Sequence, residues 1–186
     1  RQWLQLVETD GPFLSIPVMK RVYPQGIAPL DDRVLGQLKE TKAPFEQAWD
    51  ALDREGEPQL AAYRTARDAW VNVVLRRVFG WAQHYVTDAP VGVGSPNGRV
   101  VAVSTGAFRR AGATAALTWV IDPVRNLHDL LDDGWATSPI DRMELMLRSA
   151  GVPVGVVTDG RWWAIVSAPA KTMVASGIVD SQTWVE

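Results

Sequence analysis

Few residues in this chain are of types and spacings that could do chemistry. Asp132 and Asp133, with Asp129 one helical turn earlier, form an acidic cluster. Neighbouring carboxylates can hold a divalent cation; the plainer reading is a solvated helix end ahead of Gly134. His84 and His128 are far apart, and neither has a neighbour at metal-ligand spacing. They read as surface or interface histidines. Arg76-Arg77 and Arg109-Arg110 are basic pairs. Arg109 and Arg110 stand between Gly106 and Gly112, which reads as an exposed loop, and a loop arginine is suited to phosphate. Trp162 and Trp163 are adjacent in a strand-like run, so their rings face opposite ways. One can enter a core; the other needs cover from a neighbouring domain, a partner or a base.

Other chemistries lack their residues. The chain has no cysteine, which removes disulfides, thiolate metal sites and thiol nucleophiles. It has no Gly-rich phosphate loop followed by Lys and Ser or Thr, and no Gly-x-Ser-x-Gly elbow. Gly92-Val93-Gly94 is too short for a dinucleotide fingerprint and reads as a strand with small residues. Lys and Arg number 19 against 21 Asp and Glu, and the balance holds in each half. Composition therefore gives no nucleic-acid footprint. No apolar run is long enough to span a bilayer, no signal peptide is visible, and a cytoplasmic protein is expected.

The elements that must position these residues change period near residue 90. Ser15-Ile16-Pro17 predicts a helix start, ended by Pro24-Gln25-Gly26. Residues 31–53 predict a long helix with a kink or break at Pro44. A further helix from about 58 to 79 carries Tyr63, Ala66, Trp70 and Val74 on one face, and its last turns are apolar almost all round. Beyond it, 91–93 and 100–103 flank Ser95-Pro96-Asn97-Gly98, a hairpin signal. Residues 115–121 predict a strand. Ser138-Pro139 starts a helix with Ile140, Met143, Leu147 and Ala150 as its buried stripe, closed by Gly151. Residues 152–158, the turn Asp159-Gly160, and 161–167 predict a hairpin. The expected fold is α/β of the α+β kind: a helical half, residues 1–88, packed on a small mixed sheet, residues 89–186, in a single domain of 186 residues. The lack of an initiator Met suggests a piece cut from a larger protein.

One long stretch carries a resemblance. Gly134-Trp135-Ala136-Thr137-Ser138-Pro139-Ile140-Asp141-Arg142-Met143-Glu144-Leu145-Met146-Leu147-Arg148, running into Gly151-Val152-Pro153-Val154-Gly155-Val156-Val157-Thr158-Asp159-Gly160-Arg161-Trp162, resembles the N-terminal region of large fused adenine-specific DNA methyltransferases. These include type IIG restriction–modification enzymes and the methylases of DISARM-like phage-defence systems. Asp10-Gly11-Pro12-Phe13-Leu14-Ser15-Ile16-Pro17-Val18 and Tyr23-Pro24-Gln25-Gly26 resemble the start of the same group. Similar helix–hairpin stretches recur in type I restriction subunits.

The resemblance implies a restriction-nuclease-like core ahead of this helix–hairpin. Such a core needs an Asp on one strand, then Asp or Glu, a spacer and Lys on the next, to hold a metal and stabilise charge. Asp122 stands where the second acid belongs, but Val124 replaces the Lys, and Ser104 and Thr105 stand where the first Asp is wanted. A degenerate core without nuclease chemistry is expected. The methyltransferase motif Asn-Pro-Pro-Tyr and a Gly-rich loop for S-adenosylmethionine are absent too; that cofactor is implied for the parent protein and none for this chain. The implied function is a non-catalytic accessory domain. It would position DNA, weakly and through Arg109 and Arg110, or dock the methyltransferase or another defence-system subunit. Two alternatives stay open. One is an active nuclease in which Asp122, with Asp132 or Asp133, holds Mg²⁺; the other is an interaction module with no nucleic-acid role.

Overall fold

The computed structural model describes residues 6–11, 16–25, 28–53 and 57–184. The proposed Ser15 cap lies outside them. The chain forms two compact units, one of Ile27–Tyr85 with Thr183–Glu186 and one of Arg1–Gly26 with Val86–Gln182.

The first unit is built on two helices, α2 (Asp32–Asp50) and α3 (Glu57–Val73), the latter continuing as a π-helical turn over Val74–Val78. The Asp31 carboxylate starts α2 by accepting the N–H groups of Arg33 at 2.7 Å and Val34 at 3.3 Å, two donors that a helix end leaves unsatisfied. Pro44 does not break α2, contrary to the sequence expectation. Its ring is on the exposed side, and Phe45 beside it is buried, so packing of the next residue holds the helix through the missing hydrogen bond. The core is aromatic. Phe45 stacks on Trp70 at 6.1 Å and meets Tyr63 at 5.6 Å; Trp184 closes on Trp70 at 6.1 Å. Tyr63, Trp70 and Val74 are fully buried, as the helical spacing requires.

The second unit holds the short helix α1 (Ile16–Val22) and a mixed sheet in the order β1-β9-β8-β7-β6-β5-β2. The strands are β1 (Glu8–Asp10), β2 (Tyr85–Val86), β5 (Gly106–Arg110), β6 (Ala113–Val120), β7 (Val154–Thr158), β8 (Trp162–Ser167) and β9 (Ala175–Asp180). β3 (Gly92–Gly94) and β4 (Val101–Val103) pair separately as a two-stranded ribbon. The only parallel pair among the described strands is β6 with β7, joined through α4 (Pro139–Ala150). β1, β2, β5 and β9 were not foreseen. β1, β2 and β9 lie outside the expected strands, the first of which starts at residue 91 and the last of which ends at 167.

Helix α4 starts as its sequence dictates. Ser138 and Asp141 form a capping box, Pro139 occupies the first turn, and Gly151 ends the helix at φ +67°. Ile140, Met143 and Leu147 are buried as expected; Ala150 is exposed, and Met146 and Arg142 take the remaining buried places. Gly155 of β7 lets α4 approach: a Cβ there would stand 2.7 Å from Met143 Cγ and nearer still to its sulfur. Leu117, Val157, Ala164, Val166 and Ile178 complete that core on the same sheet face.

Candidate functional site

In an open sheet, ligands favour the carboxyl ends of parallel strands. Here those are the ends of β6 and β7, where Asp122, Val124 and Asp159 come together. The two strands continue as a pair past their formal ends, with the Ile121 N–H donating to the Thr158 carbonyl at 2.9 Å. Asp159 is fully buried. Its Oδ1 accepts the N–H groups of Trp162 at 2.8 Å and Arg161 at 3.0 Å, and its Oδ2 accepts that of Val124 at 3.1 Å. Burial pushes its carboxyl up to about 6, against the downward pull of those N–H groups. The carboxylate is therefore a brace tying the β7–β8 turn to the segment after β6. The sequence marks Asp159 as a turn residue but carries no sign of this second tie, because Val124 lies 35 positions away.

Asp122 is exposed. Val124 stands where a nuclease would present Lys, and it offers this end its backbone N–H, which the Asp159 carboxylate occupies. Ser104 and Thr105 were placed on the strand before β6; they instead lie between β4 and β5. Ser104 Oγ accepts the Val91 N–H at 2.8 Å and Thr105 Oγ1 accepts the Val120 N–H at 2.6 Å, so both serve the backbone. Both Asp159 oxygens thus serve backbone N–H groups.

The Asp129–Asp133 segment is not a helix end, as the sequence suggested, but irregular chain between β6 and α4. Its members diverge. Asp129 lies 3.4 Å from Arg125, Asp132 is exposed, and Asp133 receives both terminal nitrogens of Arg142 at 2.7 Å. Arg142 is 2% exposed and lies over the Trp135 ring at 4.6 Å. Its hydrogen bonds hold the Asp133 carboxyl below the usual carboxylate range. No group of three metal-ligating side chains occurs among the described residues. His84 is exposed, and His128 lies 3.9 Å from Glu8.

Trp163 is buried, and its Nε1 donates to the Gly160 carbonyl at 3.0 Å. Trp162 points to the opposite face. Its cover comes from within, since the Arg161 guanidinium lies 4.8 Å from the ring centre and pairs with Asp180 at 3.0 Å.

Arg109 and Arg110 are not in a loop, as their flanking glycines suggested; they end strand β5. Arg110 pairs with Ala113 across a two-residue turn in which Ala111 and Gly112 both have positive φ, +51° and +78°. A primed hairpin turn requires this. A register shift between Phe108 and Arg109 marks a bulge, a device that re-aims side chains. Both arginines are exposed, and among the described residues neither has an ion pair or side-chain hydrogen bond. Most other arginines of this unit are engaged: Arg142 with Asp133, Arg148 with Glu144, Arg161 with Asp180 and Arg125 with Asp129. The basic pair Arg76-Arg77 lies in the first unit. Arg76 donates to Asn72 Oδ1 at 2.7 Å and to the Ala82 carbonyl at 2.9 Å, while Arg77 is exposed. No helix of the described residues is long and apolar enough to cross a membrane. No family model, curated protein or solved structure matches the chain.

Proposed function

We propose that this chain is a non-catalytic accessory domain of a bacterial DNA restriction–modification or phage-defence adenine methyltransferase, touching the DNA backbone through the β5–β6 hairpin. One observation carries the DNA part of the reading. Two adjacent guanidinium groups, Arg109 and Arg110, project at a tight hairpin end without carboxylate partners, in a unit whose other arginines are mostly paired. A phosphate chain supplies the anionic partner they lack. The attribution to a methyltransferase rests on the resemblance of residues 134–162 and 10–26. The non-catalytic reading rests on Val124 in place of Lys and on the amides that occupy Asp159.

Two phosphate contacts imply weak binding that does not read sequence. Its logarithmic salt slope should be about −2, because each neutralised phosphate of B-DNA contributes about −0.9. Fluorescence anisotropy of a labelled duplex against salt tests this. The R109A/R110A pair should flatten the slope and remove most of the binding, equally for unrelated sequences. Binding that survives the double variant, or that discriminates between sequences, would overturn the assignment.

A further inference from the structure

The large sheet sorts its connections by charge. β6 and β7 are parallel, and β5, β8 and β9 run antiparallel to their neighbours, so each connection between residues 106 and 180 lies at one end of the strands or the other. One end carries the β5–β6 turn (111–112), the chain from α4 into β7 (151–153) and the β8–β9 connection (168–174). These segments contain Lys171 and no acidic residue, and Arg109 and Arg110 lead into the first of them. The other end, beyond β6, β7 and β9, collects Asp122, Asp129, Asp132, Asp133, Asp159 and Asp180 against Arg125, Arg142 and Arg161. Among the strand acids of the described residues, only Asp10, opposite Ser176 on edge strand β1, lies toward the basic end. A near-neutral composition thus conceals a separation of charge along the strands.

Lys171 is held out at the basic end. It is exposed, and among the described residues it has no ion pair or side-chain hydrogen bond. The loop that carries it is pinned. The Ala168 N–H donates to the Pro153 carbonyl at 2.9 Å, the Thr172 hydroxyl to the Pro169 carbonyl at 2.9 Å, and the Arg148 guanidinium to the Thr172 carbonyl at 3.1 Å. Within this loop Lys171 has φ +61°. Glycine adopts that conformation freely, whereas a residue with a Cβ pays for it in stability. Strain of this kind persists where a site needs the residue that bears it, and here that residue supplies a free cation.

We infer that Lys171 is a third contact to the DNA backbone and that the duplex lies across this end of the sheet, an inference that rests on the hairpin reading above. The β5–β6 turn and the β8–β9 loop are three strand spacings apart in the sheet order. At about 4.8 Å each, these amount to roughly 14 Å, close to the ~12 Å width of the major groove. Lys171 and the two hairpin arginines can therefore reach phosphates on the two sides of one groove. The chain between them, Gly151, Val152 and Pro153, holds no charge that would repel the backbone. The acidic end lies at the far ends of the strands, so the field of this unit draws a polyanion to one end and turns it from the other.

Anisotropy of a labelled duplex against salt, on the full chain, separates the contacts. Three phosphates give a logarithmic slope of about −2.7, where the hairpin pair alone gives about −2. K171G and K171Q should each flatten the wild-type slope by about 0.9, whatever the duplex sequence. K171G should do so while melting no lower than wild type, because glycine relieves the conformation of residue 171. K171Q keeps a long side chain and removes only the charge, and it holds the test should the glycine loosen the loop. Slopes unchanged in both variants, with the loss confined to R109A/R110A, overturn the third contact and leave the hairpin reading standing. A slope flattened in K171G but not in K171Q also overturns it, because the loop and not the charge would then be responsible. A wild type that binds no duplex sinks both readings.

Discussion

Replacing Asp159 with Asn isolates the electrostatics of a fully buried carboxylate. Asn has the same shape and keeps an oxygen for the N–H groups of Arg161 and Trp162, but sets an amide donor against the Val124 N–H. Leaving that N–H unsatisfied costs about 1–3 kcal/mol at any pH. The pH-dependent part has the opposite sign. The folded carboxyl titrates at about 6 against an ordinary 3.8, so the folded state holds the proton more tightly than the unfolded chain does. The resulting stabilisation is complete below about pH 4 and is lost as pH rises through 6. A shift of about two pH units corresponds to roughly 3 kcal/mol, most of it falling between pH 4 and pH 7.5. Urea denaturation followed by tryptophan fluorescence, on wild type and D159N at pH 4, 5, 6 and 7.5, reads it directly. All other titrating groups are common to both proteins and cancel in the difference. The advantage of wild type over D159N should shrink by roughly 2–3 kcal/mol across that range. A difference that stays flat would refute the reasoning, because it would mean that the amide donors fully offset the burial of the charge.

Other substitutions probe separate links. Leu147→Ala should cost about 2–5 kcal/mol in thermal or chemical melts, since the side chain is fully buried against β7 and β8. Gly155→Val should cost about 1–3 kcal/mol by forcing Met143 out of place, and Gly160→Val should also destabilise, because residue 160 has φ +100°. Ala111→Gly should raise stability by about 1 kcal/mol in the same melts, by relieving an alanine held at φ +51°; no gain would mean the hairpin turn is drawn wrongly. Incubation with plasmid DNA and Mg²⁺ or Mn²⁺ should leave the DNA intact, whereas cleavage abolished by D122A would make the chain a nuclease.

Local sequence determined the elements whose signals are local. Ser138 and Asp141 three residues apart, Pro139 and Gly151 fixed both ends of α4, because capping concerns donors and acceptors within one turn. Asp159-Gly160 marked the β7–β8 turn, and the spacing of Tyr63, Trp70 and Val74 marked the buried side of α3. The β3–β4 hairpin was also legible, and so was its turn: the Ser95 N–H donates to the Val100 carbonyl at 2.8 Å, the Gly98 N–H donates to the Ser95 carbonyl at 2.8 Å, and Gly98 has φ +67°.

Tertiary structure decided what depends on distant partners. β1 and β9 are short, and their register, Glu8↔Ile178 to Asp10↔Ser176, joins segments about 170 positions apart that carry no mutual local signal. Arg109 and Arg110 read as loop because Gly106 and Gly112 flank them, yet pairing with β6 makes them the end of a strand and holds Ala111 at positive φ. The fates of the charged groups were the least legible. Asp133 leaves the acidic cluster because Arg142, nine residues on, is buried over Trp135 and needs a carboxylate beside it. Asp159 becomes a brace because the chain after β6 passes within reach of its second oxygen. Burial and partnership of a charge are properties of the assembled core, and no spacing along the chain encodes them.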